Sequence, residues 1–282
     1  MIRIVTDSTC DLPSDWYERY RIDVVPINIQ FGAETFAEGV DIDRTTFYRK
    51  IEDAGALPTT SQPSIGQFVE TYRQVAGDGD AILSIHVTGK LSGTTQSAVM
   101  ARDQLGGEAE VHVVDSLCGS AAMGYMCVEA RQLADQGVPA QEIVSRLEAR
   151  RPHINIFLTL DTLEYARMSG RISTLGAALG SLLKVKPLVA LEDGLLEAKE
   201  RVRTRGKAID RLLELLAQRV GTSPVRLAVM HAEAPDEAEA LLERAQDRFS
   251  FEEGFVTDMA TSLAVHFGPG TVGLVSYPLG EA

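Results

Sequence analysis

Ala81-Ile82-Leu83-Ser84-Ile85-His86-Val87, followed by Thr88-Gly89-Lys90-Leu91-Ser92-Gly93-Thr94, is the stretch that decides the fold. Its first seven residues are an almost unbroken apolar run rich in Ile, Leu and Val, the signature of a strand buried on both faces. The next seven are small and polar, and a helix is predicted from there to about Leu105. Val111-His112-Val113-Val114 repeats the pattern: a strand, the polar pair Asp115-Ser116, and a helix over about Ser120–Asp135. Ile2-Arg3-Ile4-Val5-Thr6 does the same ahead of Asp7-Ser8-Thr9-Cys10-Asp11, with Pro13 and Ser14 opening a helix that carries Trp16, Tyr17 and Tyr20. Strands alternating with helices imply a mostly parallel sheet with crossover helices, the α/β class.

Between these units the signals are more mixed. Val24, Val25, Ile27, Ile29 and Phe31 make a second extended run, in which Pro26 marks an edge or an irregularity. A short helix is expected after Asp43-Arg44-Thr45. Leu57-Pro58-Thr59-Thr60-Ser61-Gln62-Pro63-Ser64 has the composition of a loop. Ser64 and Gln67 have capping-box spacing, which predicts a helix from Ile65 towards Val75.

The pattern changes past Arg150-Arg151-Pro152, and the boundary between two domains, 1–152 and 153–282, is placed there. A strand over Ile154–Leu158 and a helix over Thr162–Met168 precede an apolar helix over Leu175–Leu183. Leu188-Val189-Ala190-Leu191 and Leu195-Leu196-Glu197-Ala198 flank Glu192-Asp193-Gly194 and predict a hairpin, since Asp-Gly suits the positive φ angles of a type I′ turn. Helices near 206–219 and 235–249 alternate with strands near 225–230, 255–258 and 271–277. The second domain is therefore expected to be a mixed α/β domain.

Composition limits the chemistry. The chain has 282 residues, 45% hydrophobic and 24% charged; 27 Lys and Arg face 40 Asp and Glu, for a net charge of −13. Such a chain is not expected to bind nucleic acid or an anionic lipid surface in general, because both need positive charge. No apolar run approaches the length of a membrane span. MIRIVTD goes straight into a strand pattern, so no secretory signal is expected, and three cysteines (Cys10, Cys118, Cys127) fit a reducing cytoplasm better than a disulfide framework.

The three hydroxyl-rich loops Asp7-Ser8-Thr9, Ser92-Gly93-Thr94 and Asp115-Ser116 follow strands of one parallel sheet. They should lie along its carboxyl edge, where α/β proteins bind ligands. Free N–H groups at a helix start beside Ser and Thr hydroxyls favour an anion, and Gly93 lets the backbone approach it closely. Ser92 acting only as a helix cap explains its own loop equally well. A P-loop is absent, since Ser84 stands where its first Gly is needed and Leu91 where its hydroxyl is needed. No G-x-G-x-x-G follows a strand, no CxxC occurs, and the five histidines are scattered, so neither a nucleotide nor a metal is expected.

A hydrolase using Ser92 and His266 lacks the G-x-S-x-G elbow. His266, before Phe267-Gly268-Pro269-Gly270-Thr271, either points into a cleft or hydrogen-bonds the turn that follows it. Lys199, Arg201, Arg203 and Arg205 recur at every second residue, which on an extended segment puts them on one face. With Arg167 and Arg171 they form either a solvated basic face or a receiver for an acidic partner or a phosphorylated group.

Taken together, the motifs resemble the DegV family, which includes the fatty-acid-binding subunit of bacterial fatty acid kinase. The resemblance is carried by Asp7-Ser8-Thr9-Cys10-Asp11-Leu12, Glu38-Gly39-Val40-Asp41-Ile42, Thr60-Ser61-Gln62-Pro63-Ser64, Leu91-Ser92-Gly93-Thr94 and Asp115-Ser116. Further along it is carried by Gly170-Arg171-Ile172-Ser173, Arg203-Thr204 and His266-Phe267-Gly268-Pro269-Gly270-Thr271, so it spans essentially the whole chain. One departure is Arg167-Met168-Ser169-Gly170, where family members often carry Lys and a second Gly.

The resemblance implies a two-domain DegV-like fold with a long-chain fatty acid in the interdomain cleft and its tail in an apolar tunnel. By motif, Thr60, Ser61, Ser92, Gly93 and His266 would bind the carboxylate. Arg171 and Arg203 would contact a kinase subunit or the acyl phosphate. It further implies a non-catalytic cytoplasmic carrier in bacterial phospholipid synthesis, with no cofactor and no metal beyond the bound lipid. A hydrolase, or a binder of another anionic amphiphile, is the alternative.

Overall fold

Four parallel strands, Ile22–Val25, Ile2–Asp7, Ala81–His86 and Glu110–Asp115 in that order across the sheet, form the layer on which the first half of the chain is built. The computed structural model describes residues 1–77, 79–171 and 185–279. Contacts divide the chain into two compact units, Met1–Arg151 with Ala260–Ser262, and Pro152–Met259 with Leu263–Ala282.

In the first unit the elements begin with β1 (Ile2–Asp7), α1 (Ser14–Arg19), β2 (Ile22–Val25), β3 (Asn28–Phe31) and β4 (Glu34–Ala37). They continue with α2 (Arg44–Ala54), β5 (Thr59–Ser61), α3 (Ile65–Val75), β6 (Ala81–His86) and α4 (Thr94–Leu105). β7 (Glu110–Asp115), α5 (Ser120–Asp135) and α6 (Ala140–Arg150) complete it. Neighbouring residues on β1 and β6 (Ile4 and Val5, Ile82 and Leu83) are all fully buried, as expected of a parallel sheet covered on both faces. Val5, Val25, Ile82 and Val111 meet Phe68, Val69 and Tyr72 of α3 and Ala98, Ala101 and Leu105 of α4. Helices α5 and α6 also run against these strands. In α5, Gly124 leaves no room for a side chain, because a Cβ there would stand 2.5 Å from Leu12 Cδ2.

Local chemistry sets the helix ends. Ser64 caps α3 with both halves of the capping box: Gln67 N–H donates to Ser64 Oγ at 3.2 Å, and Ser64 N–H to Gln67 Oε1 at 2.8 Å. Asp43 accepts Thr46 N–H at 2.7 Å to start α2, which Gly55 ends in the left-handed region.

Two expectations need correction here. The extended run Val24–Phe31 is broken around Pro26 into β2, which is parallel in the main sheet, and β3, which is antiparallel in a second sheet, β4-β3-β5. Proline has no N–H to continue a ladder, so the chain changes sheets there. Thr59–Ser61, read as loop, is strand β5, pairing with Asn28–Gln30. Helix α6 was not anticipated; it buries only Ala140, Ile143 and Leu147, and apart from Val144 and Ala149 its other residues are polar.

The second unit contains β8 (Asn155–Thr159), α7 (Glu164–Ser169), β9 (Lys186–Glu192), β10 (Leu195–Val202) and α8 (Arg205–Val220). It also contains β11 (Val225–Ala232), α9 (Pro235–Gln246), β12 (Phe251–Asp258) and β13 (Thr271–Pro278). Helix α10 (Thr261–Phe267) begins within the segment Ala260–Ser262 that groups with the first unit. The sheet order is β10-β9-β8-β13-β11-β12, antiparallel except for the parallel pair β11–β12, so the mixed sheet is present. The β9–β10 hairpin turns on Asp193 (φ 47°) and Gly194 (φ 75°), as a type I′ turn requires. One core of this unit joins Ala208, Leu212 and Leu216 of α8 to Leu227 and Val229 of β11 and Leu241 of α9. The apolar helix expected over Leu175–Leu183 lies outside the described residues. Among the described residues no helix is long and apolar enough to cross a membrane.

Candidate functional site

The turn between β6 and α4 is built by its own hydrogen bonds and braced from the loop that follows the neighbouring strand β7. Leu91 and Ser92 N–H both donate to Thr88 O at 3.2 Å, and Thr88 N–H donates to Cys118 O at 2.8 Å. Gly93, not Ser92, is the N-cap of α4. The Ser92 hydroxyl instead shares a hydrogen bond of 2.8 Å with Thr94 Oγ1 and accepts Thr94 N–H at 3.3 Å. Ser92 and Gly93 are half-buried, so the turn is open enough to meet a ligand.

Thr60 and Ser61 lie on β5, which pairs them with Ile29 and Asn28. The β5–α3 connection then lies against the β6–α4 turn. A Cβ on Gly93 would stand 2.8 Å from Gln62 Nε2 and 2.9 Å from Gln62 Cδ. Of the expected carboxylate ligands, Thr60 and Ser61 thus end strand β5, just ahead of the connection that meets Gly93 through Gln62, while Ser92 and Gly93 lie in the β6–α4 turn; all four belong to the first unit.

The other two hydroxyl-rich loops act as support. Asp115 accepts Gly89 and Leu117 N–H groups, and Ser116 is buried against Cys118. Asp7 accepts Thr9 N–H and hydroxyl on one oxygen and Val87 N–H on the other, with His86 Nδ1 at 3.1 Å. His86 continues through Ser84 Oγ (2.6 Å) to Tyr72 OH (2.7 Å). This Asp7–His86–Ser84–Tyr72 chain has the residue types of a hydrolytic triad, but all four are fully buried, so it cannot meet a substrate. It escapes sequence reading because Ser84 and His86 sit two apart inside an otherwise apolar strand. The only hint is that polar groups there must find partners.

A second buried cluster was also not foreseen. Glu38 accepts the Ser8 hydroxyl at 2.5 Å, the Thr261 hydroxyl, and both N–H and hydroxyl of Ser262, each of the last three at 2.7 Å. Asp11 accepts Ala260 N–H at 2.9 Å and the Ser120 hydroxyl. Burial pushes both carboxyls above their ordinary range, Asp11 well above it. Cys10, Cys118 and Cys127 are free thiols that are buried, and burial holds Cys118 at about 12, which excludes it as a ready nucleophile.

In the second unit, His266 occupies the last turn of α10. Burial, and then the positive charge of Arg171, lower its pKa to about 4, so the imidazole is neutral at pH 7. Arg171 follows the αL cap Gly170 of α7 and donates from Nη1 to Ser169 O at 2.7 Å. The turn after His266 is fixed: the Thr271 hydroxyl donates to Gly268 O at 2.8 Å, and Gly268 (φ 81°) is packed so closely by Tyr165 that a Cβ would meet its ring at 2.4 Å.

The expectation that Lys199, Arg201, Arg203 and Arg205 share one face is not met. The ladder slips between Ala198 and Glu200, leaving Lys199 at the irregularity, and β10 ends at Val202. Lys199 pairs with Glu192 and Glu197. Arg205 already belongs to α8 and donates to Glu237 at 2.7 Å and Gly270 O at 2.6 Å. Arg203 is left exposed at the bend between β10 and α8.

Similar proteins agree with this architecture along its length. The family model described as "Uncharacterised protein, DegV family" matches residues 1–279. A DegV domain-containing protein of Streptomyces coelicolor is 38% identical over 276 residues, covering 97% of each chain. A DegV family protein of Thermus thermophilus, solved as a fatty-acid-binding protein, superposes with a TM-score of 0.92 at 34% identity, covering 99% of both chains. DegV of Bacillus subtilis, also solved as a fatty acid binding protein, superposes at 0.88 with 32% identity over 98% of this chain and 99% of its own. The chain belongs to the DegV family.

Proposed function

We propose that this protein is a carrier that holds a long-chain fatty acid and presents its carboxylate to a separate ATP-dependent kinase subunit, which converts it to an acyl phosphate. The observation that carries the reading is the half-buried Ser92–Gly93 turn set against Gln62, which directly follows Thr60 and Ser61 in the chain. This is a head-group seat of neutral donors in a chain whose relatives from Thermus thermophilus and Bacillus subtilis are described as binding fatty acids. At about 0.8 kcal/mol per buried methylene, a sixteen-carbon tail entering an apolar tunnel gains on the order of 12 kcal/mol. Such a tail retains the ligand even after ordering costs. The head group then needs only modest affinity, and it must be released once phosphorylated. Hydroxyls and backbone N–H groups suit that better than a cation. The neutral imidazole of His266 can join them as a further N–H donor.

Arg171 and Arg203 are assigned the transferred phosphoryl group or the docking of the kinase subunit, since guanidinium forks match phosphate oxygens. The chain carries neither a P-loop nor a G-x-G-x-x-G fingerprint after a strand, so the nucleotide is assigned to the partner. Its place is the bacterial cytoplasm, where acyl phosphate feeds phospholipid synthesis. Native mass spectrometry of freshly purified protein tests the reading: a co-purifying mass in the fatty-acid range is expected. A preparation free of lipid that also fails to take up oleate would overturn it. Ester hydrolysis by the isolated chain, abolished in Ser92→Ala, would replace it with a hydrolase.

A further inference from the structure

We infer that Gln62 is a further head-group ligand, whose carboxamide donates to the fatty-acid carboxylate from the space that the missing side chain at Gly93 leaves open. The inference rests on the carrier reading and adds a residue to its site.

Three observations carry it. The Gln62 backbone is pinned from both sides: its carbonyl accepts Asn28 Nδ2 at 3.2 Å, and the next residue, Pro63, is buried. The side chain is not pinned. Among the described residues the carboxamide makes no hydrogen bond, yet it lies flat against the N-cap of α4. A Cβ on Gly93 would meet its Nε2 at 2.8 Å, its Cδ at 2.9 Å and its Oε1 at 3.3 Å, closer than real Cβ contacts allow. The third observation is chain order: Gln62 directly follows Thr60 and Ser61 and reaches the residue that directly follows Ser92. One amide therefore bridges the two halves of the proposed seat, with two N–H donors still to place.

Glycine at 93 then has a role other than backbone freedom. Its φ of −78° and ψ of 3° are open to any residue. What the position requires is empty space for the Gln62 carboxamide. An alanine there would leave the helix start intact and displace the amide, which sits at the end of a flexible, exposed side chain and can swing away. Charge also matters. A neutral amide attracts the carboxylate without holding the more highly charged acyl phosphate as strongly as Lys or Arg would. A carboxylate in its place would repel both.

The experiment titrates oleate into the delipidated full chain by isothermal calorimetry, for the wild type and for Gln62→Ala, Gly93→Ala, the double variant, Gln62→Glu and Ser92→Ala. Urea midpoints confirm that each is folded. A lost hydrogen bond to a charged group is expected to weaken Gln62→Ala by about tenfold. Gly93→Ala should match it, and the double variant should be no worse than either single one, because both remove the same contact. Gln62→Glu should lose more than Gln62→Ala. The inference is overturned if Gln62→Ala binds oleate like the wild type while Ser92→Ala is weakened, an outcome that leaves the carrier reading standing. Additive losses in the double variant also overturn it, since Gly93 would then act independently of Gln62. A wild-type chain that binds no oleate removes the carrier reading and the inference together.

Discussion

The carboxylate of Asp115 takes the backbone N–H of Gly89 on both of its oxygens, each at 3.1 Å. Asp115 ends β7, and Gly89 lies in the turn that follows the neighbouring strand β6, so this is a brace between adjacent strand ends. The same carboxylate takes Leu117 N–H at 3.0 Å, where the chain adopts a φ of 52°. A Cβ on Gly89 would stand 2.8 Å from Asp115 Oδ2, so glycine is what allows the carboxylate this close. Asp115→Ala leaves two N–H groups without this acceptor and is expected to cost about 1–3 kcal/mol of stability. Urea denaturation measures the loss, and amide exchange at Gly89 should accelerate with it. An unchanged midpoint would show that the turn holds without the brace.

Glu38 supports a different stretch of backbone. Its four donors come from Ser8, Thr261 and Ser262, so it holds the start of α10 within the first unit. Burial raises its pKa, with the hydrogen bonds opposing. The sign follows from linkage: the folded chain keeps a proton that the unfolded chain has lost between the ordinary carboxylate value and the raised one. This contribution to stability is fully present below the ordinary value and is lost as pH rises through the folded value. Glu38→Gln cannot ionise, so the stability advantage of wild type over variant should shrink from pH 4 to pH 7 in urea titrations. An advantage that grows with pH would contradict the raised carboxyl.

The legible parts of the fold are those where one local rule meets no competitor. The capping box at Ser64, the Asp193-Gly194 turn and the apolar runs of β1, β6 and β7 state their structure in their own residues. Ser92 and Gly93 could be placed at a strand end for the same reason. Thr59–Ser61 was hidden because its strand character comes from pairing with β3, not from its own composition. The buried carboxylates Asp11 and Glu38 were hidden too, since their partners Ala260 and Ser262 lie more than two hundred residues away. The even spacing of the four basic residues misled, because a register slip at Lys199 cannot be read from charge alone.

His266 runs opposite to Glu38. Burial and Arg171 depress its pKa to about 4, so the unfolded chain gains a proton before the folded chain does. Its contribution is present above the ordinary histidine value of about 6.5 and is lost as pH falls from there through 4. Ring resonances of His266 followed by NMR should titrate near pH 4, and His266→Gln should flatten the decline of stability between pH 6.5 and 4. On the carrier reading, a bound carboxylate offsets Arg171, so the midpoint should move upward when oleate is present. A midpoint near 6.5 in the lipid-free chain would mean that the ring is solvated.

On the carrier reading, Ser92 and Arg203 separate holding the ligand from handing it on. Ser92 is half-buried in the turn before α4, and its hydroxyl shares a hydrogen bond of 2.8 Å with Thr94 Oγ1. Ser92→Ala is expected to weaken oleate binding by roughly 1–3 kcal/mol, the range for a hydrogen bond to a charged group. Arg203 is exposed at the bend before α8 and has no hydrogen-bond or ion-pair partner among the described residues, so no folded contact accounts for a guanidinium there. Arg203→Ala should leave both the urea midpoint and oleate affinity unchanged, while on the carrier reading acyl-phosphate formation with the proposed kinase subunit and ATP falls at least tenfold, as for a lost charge-assisted contact of about 1.4 kcal/mol or more. Loss of oleate from the Arg203 variant would place this residue in the lipid site and undo the division. Full phosphorylation by that variant would leave Arg171 as the cation facing the transferred group.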